Sequence, residues 1–321
     1  MTLPTKEVQI ADRTYTVAGV DVSDPYFSAI TDNFEPDFQE FCRFFLQSDD
    51  VCLDIGANIG MKSLMLSRFV RNGRVIAVEA APTVGEALTL NIEKSGEPNI
   101  TVSRCAISDT DGEVGFADNS AYGHIAPSGV RVPAKRLTTL LGEQGVSRLD
   151  FIKIDVEGFE YPILKDSLDI INRHKSLVLF EFNSWCQLAF AHVSPLEFAR
   201  WIVASFSHVF MVRRVQSGGL ALERVSPDGS LGLLHTNLVE DRTLTDILVT
   251  NAPERWSSSF ATLEHRIAAS SFYEPSLAAQ LAEARAEIER LTLERNALLS
   301  STSWRLSKPL RVAGRILKGR D

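Results

Sequence analysis

The chain has 321 residues, of which 45% are hydrophobic and 23% charged, enough for one full globular domain and a smaller appendage. Its 33 Lys and Arg stand against 41 Asp and Glu, a formal net charge of −8, which excludes a general electrostatic attraction to nucleic acid and points to a body acting on something small. The opening residues carry no basic start followed by an apolar run, and no window reaches the roughly 18 apolar residues of a membrane span, so the expected location is the cytoplasm.

Residues 1–33 read as short alternating strands with turn chemistry, a hairpin ahead of the main fold. From residue 34 the pattern turns helical, with Phe38, Phe41, Cys42, Phe45 and Leu46 on one face. A strand-and-helix alternation follows: VCLDIG, MKSLMLSRFV, GRVIAVEA, TVGEALTLNIEKSG, NITVSRCAIS, a hairpin-like GEVGFA, then LDFIKIDVEG leading into the helix EYPILKDSLDIIN. SLVLFEFN, the helix PLEFARWIVASF and the strands HVFMVRRV, ALERVSP and TDILVTN close the domain near residue 252. Apolar strands separated by amphipathic helices predict a parallel, doubly wound Rossmann-like α/β sheet covered on both faces. Cys42, Cys52, Cys105 and Cys186 show no CxxC spacing and read as reduced core residues.

Residues 253–275 read as a linker, and 276–300 as a coiled-coil helix. Apolar side chains recur at 277, 281, 284, 288, 291 and 298, with Arg295 in the skipped position. So short a helix is marginal alone in water and calls for a partner helix, from a second copy or another protein. In 301–321, Arg305, Lys308, Arg311, Arg315, Lys318 and Arg320 interleave with Trp304, Leu306, Leu310, Val312, Ile316 and Leu317. That basic amphipathic pattern over 304–320 suits the anionic inner face of a membrane, or docking on a protein.

Within VCLDIGANIGMKSL, a strand ends in Asp54 and turns through Gly56, Ala57, Asn58 and Gly60 into a helix, which brings backbone close to a ligand at the carboxyl edge of the sheet. The spacing is not G-x-G-x-x-G, and Gly60-Met61-Lys62-Ser63 is out of register for a phosphate loop. Asp54 would repel a polyphosphate and suits a ligand with an ammonium group. The next strand ends in Glu79, 23 residues after Gly56, where an acid can accept both hydrogen bonds of a ribose diol. An ammonium site followed by a ribose site describes S-adenosylmethionine.

LDIGANIGMKSL, VIAVEAAP, CAISDTDGEV and DFIKIDVEGFEYPIL resemble the successive motifs of the FkbM family of S-adenosylmethionine-dependent methyltransferases, over about residues 35–250. The resemblance implies a class I methyltransferase fold, a seven-stranded sheet with a reversed last strand, and O-methylation of a hydroxyl on a sugar or secondary metabolite. It implies that Asp54, Gly56, Ala57, Asn58 and Gly60 hold the methionine end, that Glu79 holds the ribose, and that Cys105, Ala106 and Ile107 lie near adenine. The ending LLSSTSWRLSKPLRVAGRILKG resembles C-terminal tails of bacterial enzymes that assemble surface polysaccharides, which implies a glycan acceptor.

Methyl transfer to a hydroxyl needs an in-line nucleophile and a base. Asp155 and Glu157, at the end of FIKIDVEG, are the first candidates for base or hydroxyl acceptor, with helix capping the alternative for Asp155. Two carboxylates without a third ligand leave a divalent metal there an open question. His124, in the polar loop NSAYGHIAPSG, is a further candidate base, and Lys153, Glu181 and Asn183 are candidate acceptor-pocket residues. The favoured reading is therefore a sugar O-methyltransferase of polysaccharide assembly. The alternatives are a methyltransferase for a small secondary metabolite and a non-catalytic scaffold of a glycan-assembly complex.

Overall fold

A computed structural model describes residues 3–269 apart from 33, 120–122 and 216–217. The predicted heptads at 277–298 and the basic stretch at 304–320 lie outside the described residues.

The chain opens with an antiparallel hairpin, β1 (Thr5–Ile10) and β2 (Arg13–Ala18). Alternation turns Val8, Ile10, Tyr15 and Val17 into the core. Asn91 staples the hairpin to the main fold: its amide exchanges hydrogen bonds with the Ala18 backbone at 2.7 and 2.9 Å and donates to Ile59 O at 2.9 Å. Helices α1 (Pro25–Ala29) and α2 (Pro36–Phe45) follow. Each starts with proline at the position where a helix needs no backbone donor, and α2 buries Phe38, Phe41, Cys42 and Phe45 as its periodicity predicts.

The central sheet takes β3 (Val51–Ile55), β4 (Arg74–Val78) and β5 (Ile100–Ser103) in one direction, joined by α3 (Met61–Phe69) and α4 (Pro82–Ser95). A four-stranded sheet interrupts the alternation: β6 (Ala106–Ile107), β7 (Gly112–Ala117), β8 (His124–Ile125) and β9 (Val130–Lys135). The run NITVSRCAIS therefore splits at Arg104 and serves two sheets. After α5 (Leu137–Glu143) the central sheet resumes on the other side of β3 with β10 (Phe151–Ile154), α6 (Glu160–His174), β11 (Leu177–Asn183), α7 (Ser184–Ala189) and α8 (Pro195–Ser205). Next come β12 (His208–Arg214), β13 (Leu220–Arg224), α9 (Ser230–Val239) and β14 (Leu244–Thr250).

The spatial order is β13-β12-β14-β11-β10-β3-β4-β5. β14 lies antiparallel between β11 and β12, while β11, β10, β3, β4 and β5 are mutually parallel. The reversed strand of a class I methyltransferase sheet is present, but the sheet has eight strands rather than seven, because β13 hairpins back onto β12. Strand order reverses between β3 and β10, which makes their carboxyl ends the place for a ligand crevice.

Alternate strand residues feed two cores. Cys52, Phe151, Leu177, Phe210 and Leu248 pack under α2, α3, α4 and the hairpin. Leu53, Ile152, Val178, Phe182 and Val249 pack under α5, α6, α8 and α9. The predicted linker is corrected in its first part. Residues Pro253–Trp256 form a 3-10 turn and Ser257–Ala269 a helix, α10, with Trp256, Phe260 and Leu263 in the first core and Trp256 Nε1 donating to Phe45 O at 2.9 Å. The four cysteines are buried and unbridged.

Candidate functional site

The glycine turn is shaped from below and beside. Gly56 has φ +78°, and a Cβ there would stand 1.7 Å from the Asp155 carbonyl oxygen, so β10 leaves room for nothing larger. The amides of Gly56 and Ala57 both donate to Val78 O at 3.0 and 2.9 Å, which ties the turn to β4. Asn58, at φ +52°, donates its amide to Glu79 Oε2 at 2.8 Å. Glu79 Oε1 accepts from the Ala81 amide at 2.8 Å. Burial pushes the Glu79 carboxyl up, against the pull of these amides. Each oxygen keeps a lone pair for a further donor.

The turn faces a cavity of about 380 Å³ at the carboxyl edge of the sheet. Gly56, Ala57, Asn58 and Glu79 line one side, and Cys105, Ala106 and Ile107 line another with Val84, Phe116 and Ile125. Lys62, Lys153, Asp155, Glu157 and Glu181 line the remainder. A second cavity of about 200 Å³ lies against α2, β12 and β13, and the two share Lys62, Lys153, Asp155 and Glu181.

This shared wall is electrostatically ordered. Lys153 is buried, with Nζ 3.1 Å from Asp155 Oδ2, 3.5 Å from Asp54 Oδ1 and 3.2 Å from Gly56 O. Burial disfavours its charge, but Asp155 and Asp54 outweigh it and hold the ammonium above its ordinary range. Lys62 sits 3.8 Å from Asp155 Oδ2 and 3.4 Å from Glu35 Oε2. Burial likewise raises the cost of charge on Asp155, yet Lys153 and Lys62 hold its carboxyl below the usual range. Asp155 caps no helix: α6 begins after Phe159 without a side-chain cap.

Two further acids are pushed the other way. Desolvation raises Glu157, which has φ +54° and accepts from Cys186 Sγ at 3.1 Å. Desolvation also raises Glu181 well above the carboxylate range, reinforced by Asp155, Glu157 and Asp246. Behind them Glu160, fully buried, accepts from the Val156 and Gly158 amides at 3.0 and 3.3 Å and is pushed up to about 7 by desolvation.

Most of the predicted site residues converge here, and four do not. Asp54 is 0% exposed and is not among the lining residues: Ser63 Oγ of α3 donates to it at 2.6 Å and Lys153 supplies the countercharge. Its carboxylate positions Lys153 instead of lining the cavity. Gly60 is also absent from the wall: a Cβ there would meet Leu88 Cδ1 at 2.8 Å, so this glycine lets α4 close on the start of α3. His124 belongs to β8, with its ring stacked on Phe190 at 3.7 Å between centroids, and is not a lining residue. Asn183 caps α7 by accepting from the Cys186 amide at 3.0 Å, and its Nδ2 donates to Glu181 Oε1 at 3.3 Å. Among the described residues, no three His, Cys, Asp or Glu side chains are placed to hold a metal ion.

Lys62, Phe116 and Ile125 escaped the sequence reading. For Lys62 a signal existed: a lysine in the first turn of a helix opposes the helix dipole and needs a carboxylate nearby.

Residues 54–202 match the methyltransferase FkbM domain. The chain is 26% identical to methyltransferase sdnD of Sordaria araneosa, over 37% of this chain and 61% of that protein. It is 30% identical to the protein-L-isoaspartate O-methyltransferase of Caenorhabditis elegans, over 32% of this chain and 47% of that one. It thus spans between about half and three fifths of the length of these relatives. Among solved structures, a methyltransferase FkbM from Methylobacillus flagellatus aligns over 73% of this chain and 48% of that chain, with 14% identity and a TM-score of 0.37.

Proposed function

We propose that the chain is an S-adenosylmethionine-dependent methyltransferase that methylates a hydroxyl group, in particular a sugar hydroxyl of a bacterial surface polysaccharide or its precursor. The observation that carries this reading is the 380 Å³ cavity at the strand-order reversal, bounded by the 56–58 turn, Glu79 and the 105–107 segment. The residues fit the cofactor. Glu79 has lone pairs to receive the ribose diol, and Ala106, Ile107, Phe116 and Ile125 offer an apolar slot for a purine. The bare backbone at Gly56 admits close approach, and the anionic Asp155 opposite suits an ammonium and a sulfonium. When bound, the cofactor supplies an electrophilic methyl group. Lys153 and Lys62 keep Asp155 anionic at the cavity wall, which favours the cationic ligand over its neutral product.

The sugar acceptor rests on the tail, whose basic amphipathic stretch at 304–320 would hold the enzyme at the inner membrane face, with residues 277–298 pairing to a second copy or a partner. No described helix is long and apolar enough to cross a membrane. The test is transfer of labelled methyl from S-adenosylmethionine to cell-envelope glycan fractions and nucleotide sugars. Label that survives mild base marks an ether. Label released as methanol marks a carboxyl ester and overturns hydroxyl methylation.

A further inference from the structure

Two cavities share a wall of four side chains, and one of the four stands apart from the others. Lys62 and Lys153 are ammonium groups held by carboxylates, and Asp155 is bound to both of them. Among the described residues, Glu181 accepts one hydrogen bond, from Asn183 Nδ2 at 3.3 Å, and it reaches both cavities. It sits in register with Asp246 of β14. The groups that face it are Lys153 from β10, Asp155, Glu157 and Glu160 from the loop and helix beyond β10, Lys62 from α3, and Asp246.

Resting on the methyltransferase reading, we propose that the 200 Å³ cavity seats a neutral, hydroxyl-bearing ring as methyl acceptor and that Glu181, not Asp155, takes the hydroxyl proton. The acceptor oxygen attacks the methyl carbon, the carbon–sulfur bond breaks with its electron pair retained by sulfur, and the oxygen's proton passes to the Glu181 carboxylate.

The lining argues for the acceptor class. Five acids, Glu35, Asp37, Asp155, Glu181 and Asp246, line the cavity with three cations. Each cation is engaged: Lys62 with Glu35, Lys153 with Asp155, Arg214 with Asp37. An anionic acceptor finds each of these cations already matched by an acid, and an amine is held protonated by the same ion-paired acids and loses its nucleophilic lone pair. Hydroxyl groups donate to carboxylates at no such cost, and Phe38, Val212 and Leu220 offer an apolar face to ring C–H groups. Asp155 is a poor base because two ammonium groups stabilise its anion. Desolvation, reinforced by the neighbouring acids, makes the Glu181 carboxylate the stronger proton acceptor of the two.

The test uses the full chain, S-adenosylmethionine and a panel of methyl glycosides as acceptor probes. Glu181→Gln is expected to bind the cofactor within threefold of wild type and to lose at least a hundredfold in kcat. The wild-type rise of kcat with pH is expected to vanish with it, and Glu181→Asp to restore part of the rate. Val212→Phe, which fills the second cavity away from the shared wall, is expected to raise the glycoside KM at least tenfold with cofactor binding kept. A Glu181→Gln rate within threefold of wild type overturns the proton role, and an unchanged KM in Val212→Phe overturns the seat. Absence of transfer to every glycoside by a wild-type protein that binds the cofactor overturns the acceptor class. Absence of cofactor binding overturns the methyltransferase reading itself.

Discussion

Lys153→Met removes the charge on which the site is organised. The ammonium is the countercharge of Asp54, which is fully buried and, among the described residues, otherwise has only the Ser63 hydroxyl, at 2.6 Å. Asp155 is more exposed and keeps Lys62 at 3.8 Å, so Asp54 carries most of the penalty. Stranding one member of a buried ion pair costs about 3–5 kcal/mol, a large share of a typical stability of about 5–15 kcal/mol. Urea unfolding at neutral pH of wild type, Lys153→Met, Asp54→Asn and the double variant reads this directly. The expected result is a loss of about 3–5 kcal/mol for Lys153→Met, of which the double variant regains about 2 kcal/mol or more, because a neutral amide no longer needs the ammonium. A loss under about 1 kcal/mol in Lys153→Met, or a double variant at the sum of the singles, would refute the proposed pairing.

Glu160 gives a pH signature. Its folded-state pKa of about 7 lies above the ordinary 4.5, so the folded chain binds its proton more tightly. This stabilisation is full below about pH 4.5 and is lost as pH rises through 7. Its Oε2 is buried without a hydrogen-bond partner among the described residues, so Glu160→Gln should raise stability by about 1–3 kcal/mol at pH 8 and leave it nearly unchanged at about pH 4, as read by denaturant midpoints. Gly56→Ala places a methyl group against the Asp155 carbonyl and should abolish cofactor binding in calorimetry. Near-wild-type affinity would show that the turn is looser than described. Trp256→Ala should cost about 3–5 kcal/mol in thermal or urea unfolding, since its ring is buried and its indole holds Phe45 O. A neutral effect would restore the linker reading.

The parts of the site that could be read in the sequence are those written in consecutive residues. A strand, a glycine turn and a helix bring Gly56, Ala57 and Asn58 to the sheet edge, and the next strand brings Glu79 there; Cys105–Ile107 were legible only through the family resemblance, because the chain leaves the central sheet after β5. What stayed hidden depends on partners distant in the chain. Asp54 reads as an edge acid in the sequence, but Ser63 on α3 and Lys153 on β10 engage its side chain away from the cavity wall. Gly60 reads like a ligand glycine until Leu88 of α4 is placed against it. Asn183 ends a strand at the right edge, yet its local bond to the Cys186 amide wins. The second cavity joins α2 to β12 and β13, nearly two hundred residues apart in sequence, and no local periodicity reports such a meeting.

The central claim is that the Glu79 cavity holds S-adenosylmethionine, and calorimetric titration of the full chain beside Glu79→Ala tests it most directly. Micromolar binding by the intact protein is expected, weakened at least tenfold in the variant, about 1.4 kcal/mol. No detectable binding by an intact, folded protein, or equal affinity in Glu79→Ala, would contradict it.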